Sequence, residues 1–104
     1  MAAVNGPAHV SITGDKAALE SLLEELDVDG IRTTRLRGIN IAAHHPPQVD
    51  ILRDRLLGDL APVSPLATAV PFYSTVSGGA IDTTTLDADY WFRNVREPVL
   101  FESA

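Results

Sequence analysis

A mixed α/β fold is predicted by three features of this 104-residue chain: a β-rich stretch at 9–13, leucine stripes of helical period at 16–26 and 49–60, and a second β-rich stretch at 70–76. Strand and helix signals alternate along the chain instead of segregating, which argues against an all-α or all-β architecture.

Asn5-Gly6-Pro7 is a turn signal, and His9-Val10-Ser11-Ile12-Thr13 behind it reads as a short strand ended by Gly14. Asp15 is placed as a helix N-cap. Leu19, Leu22, Leu23 and Leu26 then recur at helical spacing, with Glu20, Glu24 and Glu25 left largely for solvent, and Gly30 closes the unit. Residues 31–36 are rich in β-branched side chains and predict a second strand, so that 9–36 forms a βαβ-like unit. After Gly38 and the apolar 39–43 comes His44-His45-Pro46-Pro47, a loop whose prolines suit the first turn of a helix. That helix carries Val49, Leu52, Leu56, Leu57 and Leu60 on one stripe and Asp50, Arg53, Asp54 and Arg55 elsewhere. Residues 61–65 connect to a strand at 70–76, which Pro71 assigns to an edge or to its first residues and Gly78-Gly79 terminates. Asp87-Ala88-Asp89 caps a short helix through Val95, and Pro98 is expected to start another that the chain barely enters before Ala104.

Composition narrows the function. Eight basic against 14 acidic residues leave a net charge of −6, which repels nucleic-acid phosphates and anionic lipid. With no cysteine there is no disulfide, thiolate nucleophile or cysteine zinc site. No apolar run reaches the length of a membrane span and no signal peptide opens the chain, so neither nucleic acid nor membrane is expected as a partner and a cytoplasmic location fits.

A serine nucleophile needs an exposed elbow beside a histidine, typically GxSxG, and none of Ser11, Ser21, Ser64, Ser74, Ser77 and Ser103 sits in one. The adjacent His44 and His45 are the residues best suited to proton transfer, since imidazole can take a proton from a hydroxyl near neutral pH. Read on the residues alone, a plain loop is the better explanation of the pair, and no HExxH or carboxylate cluster accompanies it, so no metal is expected. Tyr90-Trp91-Phe92 before Arg93 is read as packing, not as a stacking platform for a ligand.

Four segments in order resemble the acyltransferase domains of modular type I polyketide synthases. Ala3-Val4-Asn5-Gly6-Pro7 through Ser11-Ile12-Thr13-Gly14-Asp15 is similar to AVNGPxxVVVSGD, and residues 38–50 are similar to the stretch around the family's catalytic histidine, VDYASHSPQVE. Residues 70–79, Val-Pro-Phe-Tyr-Ser-Thr-Val-Ser-Gly-Gly, are similar to VPFYSTVTGG, and 87–101 to DAxYWYRNLRxPVRF. The resemblance implies an internal piece of such a domain. Residues 1–43 would be the second half of a ferredoxin-like small subdomain, and 44–104 part of the α/β-hydrolase-like large subdomain, the serine elbow lying upstream.

It further implies that an upstream GHSxG serine takes a malonyl-type unit from coenzyme A. A histidine acts as general base and then acid as the unit passes to the phosphopantetheine of an acyl carrier protein. The implied partners are the upstream half of the domain, that carrier protein and the ketosynthase of the same synthase; the segment itself is expected to bind no cofactor. Aligned from its N-terminal side the motif makes His44 the base; aligned backward from Pro47-Gln48-Val49-Asp50 it makes His45 the base, and His44 is favoured. Ser74 and Thr75 are expected to support the histidine, and Ile41, Ala42 and Ala43, which precede it, to set extender selectivity. A small Ala43 where malonyl-selective domains place Phe leaves room for a branched α-carbon and points to methylmalonyl or bulkier units. The competing functions are a non-catalytic structural or docking module and a pseudo-acyltransferase remnant.

Overall fold

The computed structural model describes residues 1–36 and 43–104. The turn expected at residues 5–7 falls instead at Pro7 and Ala8. β1 (Ala3–Gly6) runs up to it, Pro7 and Ala8 turn, and β2 (His9–Ser11) returns antiparallel. The pairing passes from Val4↔Val10 to Gly6↔His9, so Asn5 is the extra residue of a bulge, and its side-chain amide donates to Ser11 Oγ at 3.1 Å.

Asp15 caps α1 (Lys16–Val28) as expected, its Oδ1 accepting the backbone N–H of Ala17 at 2.9 Å and Ala18 at 3.2 Å. The helix ends on Gly30 at φ +70°, with Ile31 N–H bonded to Leu26 O and Gly30 N–H to Asp27 O, a paired closure that only a left-handed residue permits. No residue of α1 is fully buried, and Leu19, Leu22, Leu23 and Leu26 remain half-exposed. Residues 31–36 form no strand, which corrects the βαβ reading: β-branched composition is only a propensity, and these residues join no ladder with the described strands.

The helical stripe at 49–60 is realised in three pieces. α2 (Pro46–Val49) starts on its two prolines, a 3-10 turn covers Asp50–Leu52, and α3 (Arg53–Leu60) continues. α2 and α3 lie against α4 (Ala88–Arg96), with Val49 and Phe92 buried and the Arg53 guanidinium 5.5 Å from the centre of the Phe92 ring. β3 (Phe72–Ser74) and β4 (Gly79–Ile81) form an antiparallel hairpin. Gly78, at φ +72°, closes its turn where an added Cβ would come within 2.9 Å of Ser103 Cβ.

The helix expected after Pro98 is a strand instead. β5 (Val99–Leu100) pairs parallel to β1, giving the sheet order β2-β1-β5. Proline disfavours a helical conformation in the residue before it, and Glu97 is extended at φ −83° and ψ 158°; β1 then offers an open edge that captures Val99 and Leu100. This pairing joins strands from either side of the expected boundary between residues 43 and 44.

Among the described residues the buried apolar side chains are Ala2, Ala3, Val49, Val76, Tyr90 and Phe92, while Ile51 and Leu66 are 81% and 80% exposed. The radius of gyration, 16.2 Å, exceeds the roughly 13 Å of a compact domain of this length. No helix among the described residues is long and apolar enough to cross a membrane.

Candidate active site

The histidine pair sits in the turn that enters α2, directly against the C-terminal end of α4. His44 N–H donates to Val95 O at 2.8 Å, and the His44 ring meets Glu97 O through Nδ1 at 2.7 Å. A carbonyl can only accept, so Nδ1 carries the proton and the lone pair of the neutral ring lies on Nε2. His44 also has φ +61°, a left-handed conformation that costs a residue with a Cβ about 1–2 kcal/mol and persists only where the surroundings hold it. The two bonds to α4 are that hold.

His45 is placed differently. Its backbone carbonyl accepts Gln48 N–H at 3.0 Å and Val49 N–H at 3.2 Å, while its buried Nδ1 has no hydrogen-bond partner among the described residues. No main-chain carbonyl meets its Nδ1 as Glu97 O meets that of His44. Ala43 is half-buried one residue before His44; Ile41 and Ala42 lie outside the described residues.

The carbonyl at the His44 ring comes from Glu97, not from Ser74 or Thr75. Ser74 is fully buried, and its Oγ accepts Val76 N–H at 3.1 Å and Ser77 N–H at 3.3 Å. With both lone pairs engaged, the hydroxyl donates to Tyr90 Oη at 2.9 Å. Thr75 O accepts Leu100 N–H at 2.7 Å. Through Tyr90 and Leu100 these bonds tie the β3–β4 hairpin to α4 and β5. Sequence reasoning missed Glu97 because it contributes a main-chain oxygen, which every residue type carries.

Two guanidinium forks finish the α4 end. Arg93 bonds both carboxylate oxygens of Glu97, at 2.9 and 3.2 Å, and Arg96 bonds both of Asp50, at 2.6 and 3.2 Å. The Arg96 hydrogen bond holds the Asp50 carboxyl below its usual range, and each arginine is raised by its own partner. Trp91 and Tyr90 pack edge to face at 5.1 Å, and the Trp91 indole N–H donates to Leu86 O at 3.0 Å, so the aromatic cluster is internal packing. Among the described residues no group of histidine and carboxylate side chains has metal-binding geometry.

The fold is mixed α/β, and at its α2–α4 junction it holds an imidazole against a main-chain carbonyl. The chain belongs to the acyl transferase domain family, whose model matches residues 1–104. It is 50% identical over 105 residues to Polyketide synthase GfsB of Streptomyces halstedii, covering 100% of this chain and 2% of that protein. To Mycoketide-CoA synthase of Mycobacterium tuberculosis it is 41% identical over 104 residues, again covering 100% of this chain and 2% of the relative. The fold matches the acyltransferase domain from module 8 of the salinomycin polyketide synthase with a TM-score of 0.93 at 42% identity, over 99% of this chain and 24% of that one. It matches a loading acyltransferase from the avermectin modular polyketide synthase at 0.90 and 38% identity, over 99% of this chain and 32% of the other. The chain is therefore a segment of a modular type I polyketide synthase acyltransferase domain.

Proposed function

We propose that this segment supplies the general base of a transferase that moves a malonyl-type unit from coenzyme A to an acyl carrier protein, and that His44 is that base. The supporting observation is the bond from His44 Nδ1 to Glu97 O, which leaves Nε2 as the proton acceptor. In the first step Nε2 takes the proton of a serine hydroxyl as its oxygen attacks the thioester carbonyl, and the proton returns to the departing coenzyme A thiolate. In the second, the carrier's phosphopantetheine thiol gives its proton to Nε2, its sulfur attacks the acyl-serine, and the serine oxygen takes the proton back. The serine comes from the part of the domain that precedes this segment, and the loaded carrier feeds the ketosynthase of the same synthase. In this reading residues 1–43 belong to a ferredoxin-like small subdomain and 44–104 to the hydrolase-like large one, with the sheet β2-β1-β5 at their seam. The small Ala43 beside the base favours a methylmalonyl or bulkier unit over malonyl.

The test joins the segment to the rest of its domain and offers equal malonyl- and methylmalonyl-coenzyme A, reading the carrier protein by intact mass. The expected gain is that of the branched unit, and His44→Ala slows it by about 10²–10⁴-fold. Full loading by His44→Ala with loss in His45→Ala would move the base to His45; a gain of malonyl alone would overturn the selectivity.

A further inference from the structure

We propose that Arg96, acting through Asp50, is a positioning residue for His44; the inference rests on His44 being the general base. Three successive residues at the end of α4 engage the chain from His44 to Asp50. Val95 O takes the His44 backbone N–H, Glu97 O takes the ring, and the Arg96 fork grips the Asp50 carboxylate from Nε and Nη2.

The first two bonds hold the histidine alone. The third holds the short helix that begins two residues after it. α2 is internally bonded, with Gln48 and Val49 N–H on His45 O and Asp50 N–H on Pro46 O, so fixing Asp50 fixes the whole turn. A planar two-point fork restrains rotation as well as distance, which one ammonium contact does not. His44, in its left-handed conformation, sits where the held turn meets the end of α4. Loss of the fork frees α2 to pivot on the His44 backbone and carries the ring off its carbonyl.

The pair is 36% and 47% exposed, so its direct effect on stability is small. Its effect on turnover is not, because misplacing a catalytic group by on the order of 1 Å costs about 100-fold. That contrast separates positioning from general bracing.

The experiment uses the acyltransferase domain containing this segment and follows acyl-enzyme formation, melting temperature and the His44 ring by ¹⁵N NMR. Arg96→Gln and Asp50→Asn should each lower kcat about tenfold or more, with KM for acyl-coenzyme A within about twofold. The hydrogen-bonded Nδ1 proton signal of His44 should broaden or shift, while melting stays near that of the parent. Arg96→Lys should fall between, and the exchanged pair Asp50→Arg/Arg96→Asp should recover most of the turnover. If Arg96→Gln does not fold, Arg96→Lys and Asp50→Asn carry the test with side-chain size kept. Turnover within about twofold of the parent in both single variants, or a folded exchanged pair with no recovery, overturns the proposal. His44→Ala is the control: its inactivity leaves the base assignment standing when positioning fails, and its full activity overturns the assignment itself.

Discussion

Ser74 shows how one buried hydroxyl organises the ground behind the candidate site. Its oxygen accepts two backbone N–H groups and its proton goes to Tyr90, so all its hydrogen-bonding capacity is used with no exposure to water. Ser74→Ala strands the N–H groups of Val76 and Ser77 and should destabilise the intact domain by about 1–3 kcal/mol. Tyr90→Phe strands the serine proton and should cost a similar amount, about 1–3 kcal/mol. Because the two share one bond, the double variant should lose less than the sum, as a urea-unfolding double-mutant cycle would show; strict additivity would mean the bond contributes nothing. At this scale the sequence discloses side-chain chemistry and hides main-chain chemistry. His44 is legible because imidazole is scarce and reactive, whereas Glu97 acts through a carbonyl and across 53 positions, and nothing in its residue type announces that. The fork from Arg96 to Asp50 is hidden likewise, since Asp50 reads as an ordinary helix-surface charge and its partner lies 46 positions away.

Elements whose ends are written in local chemistry were the readable ones. Asp15 and Asp87 each precede a helix and each accepts its first-turn N–H groups, and Gly30 and Gly78 stand where the backbone turns left-handed. Asp87→Ala removes the acceptor for Tyr90 N–H and should cost about 1 kcal/mol. Hydrogen exchange should show the loss as faster exchange in the first turn of α4, and unchanged exchange there would count against the cap. Elements that need a distant partner were not readable: β5 exists because it pairs with the edge of β1, and residues 31–36 pair with no described strand. The α2–α4 junction carries a pH signature of its own. The Arg96 hydrogen bond lowers the Asp50 carboxyl, so its contribution is complete above the ordinary value of 3.8 and is lost only as pH falls through the lowered one. The Asp50–Arg96 pair should therefore be insensitive to pH near neutrality. In Asp50→Asn the acid-side loss due to this group should vanish, and an Asp50→Asn unfolding profile that still tracks the parent below 3.8 would remove the carboxyl from the account.

At the scale of the whole molecule, the segment has more apolar surface than it can cover by itself. The buried apolar set is small, α1 buries none of its leucines fully, and Ile51, Leu66, Val70 and Tyr73 lie open. Its radius of gyration exceeds that of a compact chain of equal length, and the sheets among the described residues contain three and two strands. Conformational entropy opposes folding at about 1–2 kcal/mol per ordered residue, and only burial on a sufficient scale offsets it. The solved acyltransferase chains it matches are three to four times longer, and we propose that these open faces pack against the rest of such a domain. The expected behaviour of the 104 residues expressed alone is thus partial unfolding, aggregation or self-association, with poorly dispersed amide resonances and strong binding of a hydrophobic dye. Co-expression with the preceding part of the domain should restore dispersion and cooperative melting. Sharp, dispersed resonances from a stable monomer would show instead that the α2–α4 junction and the β2-β1-β5 sheet suffice as a core, and that the exposed stripes are surface in the free segment.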